Sequence, residues 1–196
     1  LKTLVVGPDF ALGYRREGDI NELRKLSVEM DFSLFVVDLL GQLDCQIRST
    51  SVRKAIGRGD VTLANELLGR YFSLDGIVET GLGRGKTLGF PTANLNVSDD
   101  RILPGDGIYA TWICIENDRY MAATCVGTRP TFEETARTVE SYLLDFKSNL
   151  YGSKIRVEFV RRLRDDVQYD SAETLITQMD KDVTATRDIL KREPSI

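Results

Sequence analysis

The chain contains no histidine. That removes Ser-His-Asp and Cys-His nucleophile systems, histidine-based zinc sites and imidazole acid–base chemistry. Any catalytic base must then be a carboxylate, a lysine, a tyrosine or water. Cysteine is scarce: Cys45, Cys114 and Cys125 are far apart and outside any C-x-x-C, so they read as reduced thiols in a cytosolic protein rather than a disulfide framework. No apolar run approaches the roughly 18 residues of a membrane span. Positive charge is not in excess either. A net charge of −4 disfavours a general nucleic-acid binder, which needs a basic surface for phosphates. What remains is an ordinary globular composition, 42% hydrophobic and 29% charged over 196 residues, enough for one large or two small domains. The chain opens at Leu1, without Met or a signal peptide and directly in a strand-like run, and is expected to be a segment of something longer.

The most informative stretch runs from Thr80 to Leu95, with Gly81, Gly83, Gly85 and Gly89 around Arg84 and Lys86, just before Pro91-Thr92-Ala93-Asn94. Glycines let backbone N–H groups approach an anion, and the two cations offset phosphate charge. Gly85-Lys86-Thr87 is the tail of a P-loop, but Thr80 stands where the first glycine belongs. Pro91 pushes Phe90 towards extended geometry, so no long helix can follow. A phosphate-type loop feeding a strand fits these residues.

Taken in order, Leu4-Val5-Val6 reads as a short strand ending at Gly7-Pro8-Asp9-Phe10. Asp19 and Glu22 fit a capping box ahead of Ile20, Leu23, Leu26 and Met30 at helical spacing. Phe32–Leu40 is β-rich, so strand, helix and strand suggest a parallel α/β layer. Two short helices follow, one begun near Ser49 or Thr50, the other capped by Asp60 and stopped at Gly69. From Tyr71 the texture changes. Six short segments alternate between turn signals: 73–80, 90–96, 107–115, 120–126, 138–146 and 154–162. With no helix between them, they argue for an antiparallel sandwich or barrel. A last helix, capped by Asp170 with Glu173, carries Ala172, Leu175, Ile176, Met179, Val183 and Leu190 on one face and closes at Pro194. The boundary between the halves is expected near Gly69–Ser73.

On a strand, Thr92 and Asn94 share a face. Their hydroxyl and amide oxygens are hard ligands that Mg²⁺ accepts when phosphates and waters complete its shell; a simple turn is the other reading. Glu140 lies on the same side of a strand-like run as Tyr142, Leu144 and Phe146. Such a partly desolvated carboxylate suits general-base work, although a solvent-facing edge residue accounts for the pattern equally well. Gly127-Thr128-Arg129-Pro130-Thr131-Phe132 reads as a second Gly/Pro loop. The pairs Glu133-Glu134, Asp99-Asp100 and Asp165-Asp166, with the Arg161, Arg162 and Arg164 cluster, read as turn or surface charge.

The order of these motifs is more specific than any one of them. Gly81-x-Gly83-Arg84-Gly85, Leu88-Gly89-Phe90-Pro91-Thr92-Ala93-Asn94-Leu95, Gly107-Ile108-Tyr109, Gly127-Thr128-Arg129-Pro130-Thr131-Phe132, Glu140–Phe146 and Leu150-Tyr151-Gly152 closely resemble the riboflavin kinases, from about Tyr71 through the final helix. Upstream, Val6-Gly7-Pro8-Asp9-Phe10 and Ser49-Thr50-Ser51-Val52-Arg53 look like later motifs of the FMN adenylyltransferase domain that precedes the kinase in bacterial bifunctional FAD synthetases. The resemblance implies an α+β protein. Residues 71–196 would form a six-stranded antiparallel Greek-key barrel with a C-terminal helix, and residues 1–70 an incomplete α/β nucleotidyltransferase-like domain. It implies phosphoryl transfer from ATP to the 5'-hydroxyl of riboflavin in the cytoplasm, with no nucleic-acid or membrane partner. Thr92 and Asn94 would hold Mg²⁺ and the ATP phosphates, Gly81 and Lys86 would belong to the nucleotide loop, and Glu140 would be the base. Leu143, Asp145, Tyr151 and Arg164 would line the flavin side. Gly7, Asp9, Ser49, Thr50 and Arg53 would mark a vestigial adenylyltransferase site; the alternatives are a full-length protein that also makes FAD from FMN and ATP, and a non-catalytic flavin- or nucleotide-binding barrel. Phosphoryl transfer needs positioning, a metal and spread positive charge more than covalent help, so a histidine-free chain can perform it. This chain departs from the family pattern in lacking the histidine-bearing adenylyltransferase motif, in Arg48 where serine is usual, and in Cys125 where asparagine is common.

Overall fold

The computed structural model describes residues 1–38, 41–42, 45–81, 83–130 and 135–193. They fall into two compact units, Leu1–Arg48 and Ser49–Ile196.

In the first unit, β1 (Thr3–Val6) pairs in parallel with β2 (Ser33–Val36), from Thr3 opposite Ser33 to Val6 opposite Val36. Parallel neighbours need a crossover, which α1 (Ile20–Glu29) supplies. Asp19 caps that helix, its carboxylate accepting from the Asn21 and Glu22 amides at 2.8 and 3.0 Å. The Glu22 carboxylate accepts from Lys25 Nζ at 2.9 Å, so the cap is Asp19's work. Two short strands, β3 (Gly41–Gln42) and β4 (Cys45–Gln46), form an antiparallel pair.

The second unit opens with α2 (Ser49–Gly57) and α3 (Val61–Leu68). Asp60 caps α3 through the Leu63 amide at 3.1 Å, and Gly69 ends it in the left-handed region at φ 66°, a conformation that favours glycine. These helices pack with the sheet that follows. Val61 is fully buried in its core, and Asn65 Nδ2 donates to the Phe159 carbonyl at 2.8 Å while its Oδ1 accepts from the Phe72 amide at 2.7 Å. The compact units part at Arg48/Ser49, so these two helices lie in the same unit as the sheet.

Six strands then close into a barrel: β5 (Phe72–Glu79), β6 (Ala93–Asn96), β7 (Gly107–Ile115), β8 (Asp118–Pro130), β9 (Thr135–Leu143) and β10 (Lys154–Arg164). All pairs are antiparallel, in the order β10-β5-β6-β9-β8-β7, with β7 returning to β10. The expected Greek-key barrel is present, and β6 lies beside β9 instead of its sequence neighbour β7. The single helical turn α4 (Arg84–Thr87) stands where a loop was expected between β5 and β6. Tyr109, Ile113, Val126, Val139, Val157 and Phe159 fill the interior. Three buried hydroxyls cross it: Thr124 Oγ1 lies 2.6 Å from Thr111 Oγ1 and 2.8 Å from Ser141 Oγ, which satisfies groups that burial would otherwise penalise. Helix α5 (Ala172–Arg192) lies outside the barrel, where Leu190 packs with Ala110 and Val160. Its cap is Ser171, whose Oγ accepts from the Thr174 amide at 3.2 Å, one residue later than the Asp170 expected. Pro194, the expected terminator, lies outside the described residues.

Candidate functional site

Strand pairing sets several of the singled-out residues on one rung around the barrel. Glu79 on β5 is opposite Asn94 on β6, and Asn94 is opposite Glu140 on β9. Glu140 is opposite Cys125 on β8, Cys125 opposite Ile108 on β7, and Ile108 opposite Arg164 on β10. Period-2 alternation turns Val139, Ser141 and Leu143 inward, so Glu140 and Tyr142 face outward. β9 has a partner on each side, so Glu140 is not an edge residue.

Thr92 directly precedes β6 and meets the carboxylate. Its Oγ1 donates to Glu140 Oε2 at 3.5 Å, and Thr138 Oγ1 donates to Oε1 at 3.3 Å. Both bonds are long, and together they orient the carboxylate from two sides. Two glycines permit the close packing around Thr92 and Asn94. A Cβ on Gly81 would overlap the Asn94 amide, and one on Gly85 would overlap the Phe90 carbonyl and lie 3.3 Å from Thr92 Oγ1. Gly83 begins α4 at φ 69°.

Two cavities meet at Thr92. One, of about 230 Å³, is walled by Glu140, Cys125, Ile108 and Arg164 of the rung, by Phe90 and Tyr142, and by Leu175 and Met179 of α5. The Phe90 and Tyr142 rings meet edge to face at 5.2 Å. The other, of about 390 Å³, is walled by Lys86, Pro91, Thr92, Leu143, Phe146 and Tyr151. A third space, of about 700 Å³, lies beyond Asn94, with Glu79, Gly81, Asn96 and Thr138 on its walls.

The residues expected on the flavin side are thus split. Arg164 lines the first cavity, Leu143 and Tyr151 line the second, and Asp145 lines neither. Arg164 grips α5: its Nε and Nη2 donate to the Asp182 carboxylate at 2.9 and 2.7 Å, and Nη1 donates to the Asp165 carbonyl at 2.8 Å. Beside it, partial burial pushes the Asp166 carboxyl above the usual aspartate range, against the pull of Arg164. The expected Gly/Pro loop from Gly127 is strand through Pro130, since Gly127–Pro130 pair with β9; Thr131, Phe132, Glu133 and Glu134 lie outside the described residues. Arg162 is no solvated edge residue, because its Nη2 donates to the Asp106 carbonyl and pairs with Asp165. Gly7 and Asp9 follow β1 in the first unit, where Arg48 Nη1 meets Asp9 Oδ2 at 2.9 Å. Ser49, Thr50 and Arg53 lie exposed on the first turns of α2, in the second unit.

Leu175, Met179 and Ile108 were missed as cavity residues. The two on α5 have the spacing of any core-facing helix position, and only the register of β7 marks Ile108. Among the described residues no cluster of three or more Cys, Asp or Glu could hold a metal. A cation here would rest on the neutral oxygens of Thr92 and Asn94 with Glu140 nearby, an arrangement suited to Mg²⁺ carried with phosphate.

A riboflavin kinase (flavokinase) family model matches residues 68–190. The bifunctional riboflavin kinase/FMN adenylyltransferase of Listeria monocytogenes is 33% identical over 185 residues, which are 94% of this chain and 59% of that protein. Its namesake in Buchnera aphidicola from Acyrthosiphon pisum is 35% identical over 93% of this chain and 59% of that protein. The chain therefore spans about three fifths of the length of these relatives. A crystal structure from Streptococcus pneumoniae, described as a macrolide-efflux protein, superposes with a TM-score of 0.82 at 32% identity, over 92% of this chain and 58% of its own. No described helix of this chain is long and apolar enough to cross a membrane. With the family model covering well over half of its length and a six-stranded barrel beneath the matched motifs, this chain belongs to the riboflavin kinase family.

Proposed function

We propose that this chain transfers the γ-phosphoryl group of ATP to the 5'-hydroxyl of riboflavin, giving FMN and ADP in the cytoplasm, and that residues 71–196 are its kinase domain. The carrying observation is the junction at Thr92, where two cavities meet within hydrogen-bond reach of Glu140. A two-substrate transfer needs this: separate seats for donor and acceptor and a base where they touch.

The apolar cavity under α5 suits the flat isoalloxazine ring, with Phe90, Ile108, Tyr142 and Met179 against its faces and Arg164 at its rim. The second cavity suits the nucleotide, so Leu143 and Tyr151 serve ATP rather than flavin, and the exposed Lys86 brings its ammonium to the phosphates. Gly81 and Gly85 leave room for Asn94, the Phe90 carbonyl and Thr92 to pack closely against the loop. Glu140, oriented by Thr92 and Thr138, takes the proton of the attacking hydroxyl. Thr92 and Asn94 would hold Mg²⁺, which supplies charge neutralisation for the transferring phosphoryl group.

Incubating the chain with riboflavin and MgATP should yield FMN and ADP by chromatography, and removing divalent cations with EDTA should abolish the product. No FMN at saturating Mg²⁺ rejects the reading. Glu140→Gln should lower kcat by about 10²–10⁴-fold, the usual worth of a positioned general base, with the circular dichroism of the wild type retained. A fully active Gln variant removes Glu140 from that role. The relatives' second named activity is a separate proposal for Gly7, Asp9, Ser49, Thr50 and Arg53 as an adenylyltransferase remnant within residues 1–70. FMN plus MgATP should give no FAD from this histidine-free chain.

A further inference from the structure

Of the four residues expected on the flavin side, Asp145 alone lines neither of the two cavities that meet at Thr92. It sits two residues past β9 at φ 59°, a left-handed conformation that non-glycine residues adopt only when something holds them. What holds it is α5. Arg187 Nη1 donates to Asp145 Oδ2 at 2.7 Å and Nη2 to Oδ1 at 3.1 Å, a two-pronged pair. The preceding residue is pinned as well, since the Leu144 amide donates to the Met121 carbonyl at 2.8 Å and Leu144 is buried.

The two ends of this pair sit on segments that wall different cavities. Asp145 opens the segment that carries Phe146, Leu150 and Tyr151, a wall of the nucleotide-side cavity. Arg187 lies about one turn beyond Asp182 and Val183 on α5, the helix that walls the flavin-side cavity and is clamped to β10 by Arg164. Between them run Tyr142, on the flavin-side wall, and Leu143, on the nucleotide-side wall, three residues or fewer from Glu140. A shift of α5 on filling the flavin-side cavity would reach Asp145 through this pair, and a shift of segment 145–151 on filling the other would reach Arg187.

We propose that Asp145 and Arg187 are positioning residues whose ion pair couples the two cavities, so that occupancy of one raises affinity in the other. The proposal rests on the two-cavity kinase reading above. Linkage makes such coupling reciprocal, and that supplies a readout independent of turnover. Riboflavin binding by fluorescence quenching, with and without saturating MgADP, and MgADP binding by calorimetry, with and without riboflavin, should give the same coupling factor in the wild type. That factor should be about two- to fivefold, the range an exposed ion pair can carry.

In Arg187→Gln and in Asp145→Asn the factor should fall towards one, with KM for both substrates rising a few-fold and kcat changing less. The charge swap Asp145→Arg with Arg187→Asp should restore part of the coupling, which repair of a merely structural contact elsewhere would not do. Asp145→Gly separates backbone from carboxylate: it accepts the left-handed conformation without the ion pair and should lose coupling like Asp145→Asn. The proposal is overturned if the wild type binds both ligands independently, or if Arg187→Gln and Asp145→Gly keep its coupling. A wild type that binds neither ligand and makes no FMN instead brings down the kinase reading. Turnover with unaltered coupling in the variants brings down this proposal alone.

Discussion

The two compact units differ in how their sheets end. In the barrel unit each strand has two neighbours and the ladder closes from β7 to β10, so no row of backbone N–H and C=O groups is left over. In the first unit β1 and β2 have each other, and one face of the pair is apolar and open: Val5, Phe35 and Val37 are 61, 57 and 56% exposed. Parallel strands ordinarily have both faces covered. The difference explains where chemistry can be positioned. A closed ladder fixes register all the way round, so a rung from Glu79 to Arg164 holds Asn94, Glu140 and Cys125 at set spacings.

The sharpest way to break the contrast is inside the barrel. Phe159 is fully buried, edge to face with Tyr109 at 5.4 Å and tilted against Phe72 at 5.8 Å. Phe159→Ala should cost about 3–5 kcal/mol, the usual price of an emptied aromatic core site. That lowers Tm by roughly 10 °C or more for a domain of this size. A loss under about 1 kcal/mol would mean that the interior is not close-packed and the rung is not rigid. On the other side, Phe35→Ser removes an exposed ring from the open face and should change stability by no more than about 0.5 kcal/mol, while reducing self-association at high concentration by light scattering. A large destabilisation by Phe35→Ser would show that this face is packed in solution, and the two units would no longer differ as described.

Much of this frame was legible in the residues, for reasons that can be named. Strand alternation and turn chemistry located all six barrel strands, and Asp19, Asp60 and Gly69 announced their helix ends because capping is local. The cap of α5 was misread by one residue, because Asp170 and Ser171 are both good caps and only backbone geometry chooses between them. Thr92, Asn94 and Glu140 could be proposed together only through the family resemblance, since 46 residues separate Asn94 from Glu140 and their apposition follows from β6 pairing with β9 out of sequence order. Nothing local predicts that jump. The split of Leu143 and Tyr151 from Arg164 was invisible for a similar reason: it depends on which side of Thr92 each side chain reaches. The partner of the Asp145 carboxylate, Arg187, lies 42 residues away, a pairing that no local pattern announces.

The smallest expected effect separates two attachments of α5 to the barrel. Arg164–Asp182 is largely buried, with side chains 21 and 9% exposed, whereas Arg187–Asp145 is open, at 36 and 73%. Water screens the open pair, so it adds little to stability. Its pH signature is still distinct. The hydrogen bond from Arg187 holds the Asp145 carboxyl below its ordinary value against desolvation, helped by the nearby charges of Arg187 and Lys191. A carboxyl with a lowered folded-state pKa contributes stability that is complete above its unfolded value, near 3.9, and is lost as pH falls through the lower folded value. The Tm difference between wild type and Asp145→Asn should therefore stay level from pH 7 to about 5 and shrink only below about pH 4. In 1 M salt it should be smaller throughout. A difference that disappears already near pH 6, or that persists unchanged to pH 2.5, would assign the effect of Asp145 to its left-handed backbone rather than to its charge.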